Sequence, residues 1–335
     1  MSVIIRTEGL GRSFKSYEKP EGLIASFRGF WDRKYTEKIA LAPTTFEIKK
    51  GQVVGLVGAN GAGKTTLLKM LSGLIHPTAG DASVLGYRPW ERKNDFLRRM
   101  SILLGQKNQL WWDIAPLDSY SMLAEIYDLD RKTAQIRVTE LAEILDCSHV
   151  LKTQLRRLSL GERMKMEIIG ALLHEPEVLY LDEPTIGLDI VAQTSIRKFL
   201  SEYVARKQPT IILTSHYMDD IAKLSDRLFL ISKGNMVYDG SVDGFMKNSE
   251  NKQKISFMLE KPLEKDFEVT DKVAMKAGVQ THSLQVKSQD LSSALSRVTS
   301  LPGILDLKIE EADFEDIIHT FLEKESRVLS PGRHH

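Results

Sequence analysis

At 335 residues, with 46 Lys and Arg against 45 Asp and Glu, the chain carries a net charge of only +1. That balance gives no overall field for holding nucleic acid, and the single cysteine, Cys147, excludes an internal disulfide and suits a reducing compartment. No stretch reaches the roughly 18 apolar residues of a membrane span and the opening Met1-Ser2-Val3-Ile4-Ile5-Arg6 lacks the apolar core of a secretion signal, so the expectation is a soluble intracellular protein.

Residues 3–9 and 44–48 read as short strands. Between them, residues 16–38 form an insert in which Phe27, Phe30, Trp31 and Tyr35 alternate with Arg28, Arg33 and Lys34. That composition suits a membrane surface or a packed domain edge. The apolar, β-prone run Gln52-Val53-Val54-Gly55-Leu56-Val57 leads into Gly58-Ala59-Asn60-Gly61-Ala62-Gly63-Lys64-Thr65, and Thr66-Leu67-Leu68-Lys69-Met70-Leu71 then reads as a helix. Glycines between a strand and a helix let successive backbone N–H groups turn inward around a polyphosphate. The helix N-terminus adds its partial positive charge. In this pattern Lys64 can reach the β- and γ-phosphates and the Thr65 hydroxyl can ligate Mg²⁺, so nucleotide binding is expected.

From about 91 to 174 the spacing of apolar residues is helical, in segments 91–100, 116–128, 131–146 and 160–174. Strands return at Val178-Leu179-Tyr180-Leu181, Ile211-Ile212-Leu213 and Arg227–Ser232, and Lys233-Gly234-Asn235 reads as a hairpin turn into Met236-Val237-Tyr238. Strands alternating with helices predict an α/β fold with a largely parallel sheet and an inserted helical block. A polar stretch, Asn248-Ser249-Glu250-Asn251-Lys252-Gln253, reads as a linker. Beyond it, strands at 255–259, 281–286 and 304–309 with helices at 288–299 and 312–323 predict a small, ferredoxin-like α+β domain. The boundaries are therefore 1–247 for the first domain, with a helical subdomain at about 91–174, and 254–330 for the second.

Val178-Leu179-Tyr180-Leu181-Asp182-Glu183 is an apolar strand ending in two carboxylates. Beside a phosphate loop, strand ends are where Mg²⁺ and an attacking water sit. Asp182 suits the metal and Glu183 suits polarisation of the water.

With these residues in place, the chain resembles the ATPase subunit of an ABC transporter, over about residues 3–245. Leu158-Ser159-Leu160-Gly161-Glu162 is similar to that family's signature motif, with Leu160 where glycine is usual and Glu162 where glutamine is usual. Gln106, in Leu103-Leu104-Gly105-Gln106-Lys107-Asn108-Gln109-Leu110, matches the Q-loop glutamine that senses Mg²⁺ and water. Gln109 is its rival, and the spacing to Leu110 and Asp113 favours Gln106. His216 matches the switch histidine, and Pro184-Thr185-Ile186-Gly187-Leu188-Asp189 resembles the D-loop. Phe14 best matches the aromatic that stacks on adenine, in competition with Tyr17, Trp31 and Tyr35.

The resemblance implies a P-loop ATPase fold with a parallel core sheet, an antiparallel edge sheet and a helical subdomain. It implies ATP and Mg²⁺, with Gly58, Ala59, Asn60, Gly61, Ala62, Gly63, Lys64, Thr65 and Thr66 holding phosphate. Thr65, Gln106 and Asp182 are assigned to the metal, and Glu183, His216 and Gln106 to hydrolysis. Ser159, Gly161, Glu162 and Asp189 then serve the nucleotide of a second copy in a head-to-tail dimer. Integral membrane permease subunits are the implied partners, the Trp111-Trp112 pair a candidate contact with them, and the cytoplasmic face of the membrane the implied location. The segments 158–164, 106–112 and 183–189, with the tail 307–318, look like the subgroup exporting drugs, antibiotics, lipids or glycans. A soluble ATPase acting on ribosomes or DNA, or a sensing subunit with little turnover, are the competing readings. Near-neutral charge weighs against the first and Glu183 against the second.

Overall fold

The computed structural model describes residues 2–17, 35–105, 107–247, 252–260, 271–276, 279–287, 290–311 and 314–328. The chain divides into two compact units, Met1–Val242 and Asp243–His335. In the first, β1 (Val3–Tyr17), β2 (Tyr35–Lys49) and β4 (Ala79–Val84) form an antiparallel sheet ordered β2-β1-β4. The first two are far longer than the sequence pattern suggested. Register shifts between Thr7 and Ser13 interrupt the period-two alternation, so the pattern fades where the strand continues. The part of the expected insert at 18–34, with Trp31, lies outside the described residues.

A second sheet of six strands is ordered β5-β6-β7-β3-β8-β9: β3 (Val53–Val57), β5 (Met100–Leu104), β6 (Val178–Asp182), β7 (Thr210–Thr214), β8 (Arg227–Ser232) and β9 (Asn235–Ser241). All neighbours run parallel except β9, which returns antiparallel through the Lys233-Gly234 turn. Every residue of β3, β6 and β7 is buried, the mark of parallel strands covered on both faces. Around them lie α1 (Lys64–Leu71), α6 (Ile190–Lys207) and α7 (Met218–Leu224). Residues 91–100, read as helical, hold the end of a 3-10 turn at Glu91 and the one-turn α2 (Asn94–Leu97), and Met100 already opens β5. A short apolar run fits either structure, and here pairing with β6 decides it.

The helical block consists of α3 (Pro116–Ile126), α4 (Arg131–Ile144) and α5 (Leu160–Leu172). Asp130 caps α4 by accepting from the Thr133 N–H at 2.9 Å. The buried Tyr120 hydroxyl donates to Met166 O at 2.9 Å and ties α3 to α5. Cys147 is fully buried after α4, and burial pushes its thiol up to about 11. No helix among the described residues is long and apolar enough to cross a membrane.

His174, just beyond α5, is buried and stacked on Tyr127 with ring centroids 3.8 Å apart. Its Nε2 donates to Met100 O at 3.0 Å, while Nδ1 has no hydrogen-bond partner among the described residues. Burial pushes its pKa down to about 4 from 6.5. The unfolded chain therefore binds the extra proton first. Stability is full above about pH 6.5 and falls as the pH drops toward 4, by at most about 3 kcal/mol from this group. Urea titrations from pH 7 to 4 are expected to show that loss, and His174→Phe to flatten it. Equal slopes for the two proteins would assign the loss elsewhere.

The second unit begins one residue into α8 (Val242–Lys247) and contains strands β10 (Lys252–Leu259), β11 (Asp271–Lys276), β12 (Val279–Lys287) and β13 (Ile304–Glu311), and helices α9 (Leu291–Thr299) and α10 (Phe314–Val328). The sheet is wholly antiparallel, ordered β11-β12-β10-β13. That order and those directions are those of a ferredoxin-like sheet. The β10–β11 connection, where such a fold places its first helix, is at 261–270, outside the described residues. Ile255, Phe257 and Leu259 pack on Ala294 and Val298 of α9 as its core. Residues 248–251 of the expected linker are also outside the described residues.

Candidate active site

The loop after β3 is shaped by what surrounds it. A Cβ on Gly58 would sit 2.2 Å from Ile231 O, and one on Gly63 2.4 Å from Ala40 O at a φ of +117°. Both positions exclude a side chain. The β8–β9 turn braces the loop from behind, through Gly234 N donating to Ala62 O at 2.9 Å and Ala42 N to Gly234 O at 2.8 Å. Gly63 caps α1 without a side-chain hydrogen bond, so the first N–H groups of the helix stay available to an anion. Lys64 is buried and donates from Nζ to Gly58 O at 2.6 Å. Burial holds its ammonium below the usual lysine range, against the raising pull of Glu183 and Asp182.

A cavity of about 370 Å³ opens over this loop, lined among others by Asn60, Lys64, Thr65, Thr66, Asp182, Glu183 and His216. Asp182 ends β6 and is held on both oxygens. Thr65 Oγ1 donates to its Oδ2 at 2.8 Å and Thr214 Oγ1 to its Oδ1 at 2.7 Å. Glu183 follows in the left-handed region, at φ +58°, an uncommon conformation for a residue with a side chain. Its N–H donates to Thr214 Oγ1 at 3.0 Å. His216 Nε2 lies 2.9 Å from Glu183 Oε1 and, as an N–H donor, fixes that carboxylate. Gly105 closes the cavity floor, where a Cβ would meet Glu183 O at 2.4 Å. Gln106 itself lies outside the described residues.

The remaining expected residues are not brought to this cavity. Ser159 is the N-cap of α5, in a capping box with Glu162. Its N–H and hydroxyl donate to Glu162 Oε2 at 2.9 and 2.8 Å, and Glu162 N donates back to Ser159 Oγ. These bonds, the backbone one first, hold the Glu162 carboxyl below its usual range. Gly161 faces Ala192, where a Cβ would lie 3.0 Å from that of Ala192. Asp189 caps α6, accepting from Ala192 N at 2.8 Å. Phe14 is exposed on β1 with the Arg12 guanidinium 4.6 Å from its ring centre. The backbones of its rivals Tyr17 and Tyr35 pair across β1 and β2.

Sequence reasoning missed several groups that set this geometry. Thr214 joins Asp182 to the Glu183 backbone, and its place two residues before His216 was the available signal. Asp220, 1% exposed, accepts from Thr185 Oγ1 at 2.6 Å, Arg197 Nε at 2.6 Å and Ser215 Oγ at 2.8 Å. It thereby ties the segment after Glu183 to the one before His216. Buried Glu167 of α5 accepts from Gln109 N at 3.0 Å and Leu110 N at 3.3 Å, with its carboxyl raised by burial. Arg163 of the same helix lies 4.4 Å from the Trp112 ring centre. Trp111 and Trp112 are both exposed, which excludes their burial beneath the helical block.

Residues 41–186 match the family described as ABC transporter. The chain is 30% identical to the ABC transporter ATP-binding protein NatA of Bacillus subtilis (strain 168), over 69% of this chain and 93% of that one. It is 32% identical to the Nod factor export ATP-binding protein I of Burkholderia orbicola, over 63% of this chain and 68% of that protein. Among solved structures it is similar to cbiO1 from Clostridium perfringens, described as part of the ABC transporter complex cbiONQ. The TM-score there is 0.59 at 25% identity, over 75% of this chain and 93% of that one. Identity that extends across nearly all of NatA, joined to a cavity equipped for a polyphosphate, places the chain in the ABC transporter family as an ATP-binding, ATP-hydrolysing subunit.

Proposed function

We propose that the chain powers export by closing head-to-tail on a second ATPase subunit, with ATP between them, while separate integral membrane permease subunits carry the cargo. One observation carries this reading. A single chain holds both a phosphate cradle and a signature turn, and holds them apart. The signature turn forms a surface with the segment after Gly187, where Leu160, Ile190 and Val191 are 46%, 80% and 79% exposed. Apolar side chains so placed at a helix start suit burial against a partner. On closure Ser159 and Gly161 of the second copy would face the γ-phosphate. ATP drives this because it interacts with the closed pair better than with the open one.

In the reaction, the loop N–H groups and Lys64 bind the β- and γ-phosphates. Glu183 accepts a proton from the attacking water, and His216 keeps the Glu183 carboxylate turned toward it. Thr65 Oγ1 and Asp182 Oδ2 supply adjacent hard oxygen atoms that would suit Mg²⁺, and Gln106, outside the described residues, is the third residue assigned to it. Bound there, the ion would neutralise charge developing on the phosphates. Phe14 is assigned to the adenine ring. The carboxylate of Glu162, in place of a neutral amide, adds negative charge beside the second copy's phosphate and so moderates closure.

Docking on a permease, at the cytoplasmic face of the membrane, is assigned to the exposed Trp111-Trp112 pair. Glu167 and Arg163 couple that pair to the signature helix. The C-terminal unit serves the pair of subunits, as a regulatory or dimerisation module, rather than the chemistry. The test is a pull-down from detergent-solubilised native membranes using Glu183→Gln protein with ATP. Recovery of a polytopic membrane protein is the expected result. Recovery of soluble partners alone, or of none in several mild detergents, would sink the transport reading.

A further inference from the structure

Ser159 has a single hydroxyl hydrogen, and in this chain it is already committed. Its Oγ donates to Glu162 Oε2 at 2.8 Å, and the Ser159 N–H donates to the same oxygen at 2.9 Å. A carboxylate only accepts, so both donors of the serine are turned back on their own helix. A side-chain amide in that place would accept the N–H through its oxygen and carry donors of its own, leaving the hydroxyl hydrogen to an incoming anion. Glu162 therefore competes with a γ-phosphate for that hydrogen, and sets a like charge beside it.

The other carboxyl oxygen has a different neighbour. Glu162 Oε1 lies 3.6 Å from Nε2 of His149, in the 3-10 turn Ser148–Val150 that follows α4. At that distance the contact is electrostatic rather than a hydrogen bond. The side chains are 66% exposed for His149 and 33% for Glu162, so both have room to move. Among the described residues Glu162 has no other ion-pair partner. The further charges here are Asp146, just past α4, and Lys165 of α5, which act with Glu162 on the buried Cys147 thiol. They are opposite in sign, and neither is paired with His149 or Glu162.

We propose that His149 is the positioning residue that frees Ser159: as the chain closes on ATP, Glu162 turns from the serine to a protonated His149, and Ser159 Oγ donates to the γ-phosphate held by the second copy. This deepens the proposed head-to-tail closure and rests on it. Closure takes the serine hydroxyl away from Glu162 and leaves a carboxylate short of a donor beside a phosphate. An imidazolium supplies both the missing donor and the countercharge, where a neutral imidazole supplies at most the donor. The proton comes from solvent onto the imidazole and returns there when the pair opens. The bond from Glu162 N to Ser159 Oγ, at 3.3 Å, uses an oxygen lone pair and survives the exchange, so α5 stays capped. The closed state thus binds the extra proton. Closure is strengthened as the pH falls, and weakened as it rises, through the range of about pH 5 to 8 where imidazoles titrate.

Sedimentation equilibrium of Glu183→Gln protein with Mg²⁺ and ATP, at about pH 8 and about pH 6, tests it. The dimer dissociation constant is expected to fall about tenfold at the lower pH, two sites each contributing the few-fold of an exposed ion pair. On the same background, His149→Gln is expected to stay near the weaker value at both pH values. His149→Lys, a permanent cation, is expected to stay near the tighter one. Glu162→Gln, which keeps a capping box, is expected to close at least as tightly as the unaltered signature does at the lower pH, and adding His149→Gln to it to change nothing. A His149→Gln protein that tightens as much as its parent, a His149→Lys protein no tighter than His149→Gln, or a Glu162→Gln protein that closes less well would each overturn the proposal and leave head-to-tail closure standing. Absence of an ATP-dependent dimer in every protein at both pH values would overturn both.

Discussion

Glu183→Gln is expected to cut steady-state ATP turnover by about 10²–10⁴-fold, the range for loss of a positioned general base. Nucleotide affinity should be retained. The side chain lines the cavity, and the replacement is nearly isosteric. The size of the loss follows from how firmly the carboxylate is placed. Thr214 receives the Glu183 N–H, His216 sits 2.9 Å from one carboxyl oxygen, and the backbone is held in the left-handed region at φ +58°. A local conformational cost of order 1–3 kcal/mol persists at such a residue only where its surroundings over-determine it. Phosphate release from purified protein, with fluorescent nucleotide binding in parallel, separates the two effects. Turnover within threefold of the unaltered protein would remove Glu183 as the base. Equal losses in binding and turnover would instead recast it as a structural residue.

Arg197→Ala is expected to destabilise the first unit by roughly 3–5 kcal/mol, because it leaves the buried Asp220 carboxylate without its countercharge. Arg197 Nε donates to Asp220 at 2.6 Å, and the two side chains are 15% and 2% exposed. The Thr185 and Ser215 hydroxyls satisfy hydrogen bonds on that carboxylate but supply no charge. Since those two residues flank the segments bearing Glu183 and His216, turnover should fall as well, below the unfolding transition. Denaturant midpoints report the first effect and phosphate release the second. A stability loss under 1 kcal/mol would mean that water reaches Asp220 and the network is not dry.

The residues of the site that could be read in advance share one property. The phosphate loop, Asp182-Glu183 and His216 each follow an apolar strand within a few residues, so pattern and chemistry sit in one short window. Asp220, Arg197 and Glu167 act across elements far apart in sequence, and nothing local distinguishes them from ordinary polar residues. The fold follows the same division. The helices α3, α4 and α5 were legible because three turns or more make a helical period visible. Strand β4, Ala79-Gly80-Asp81-Ala82-Ser83-Val84, has little β propensity of its own and is a strand because β1 pairs with it. Strand β5 falls in the 91–174 block of helical spacing, overlapping the expected helix 91–100 only at Met100, and it too is a strand because a neighbour, β6, pairs with it.

The buried thiol of Cys147 has a practical consequence. It is the chain's only cysteine, closed off from solvent, and kept as thiol rather than thiolate at neutral pH. Maleimide reagents will therefore pass it by in the folded protein. A cysteine introduced at any exposed position becomes the sole reactive handle, with no need to remove the native one. Spin labels or donor–acceptor dyes can then be attached one per chain, making distances between two copies measurable through the ATP cycle.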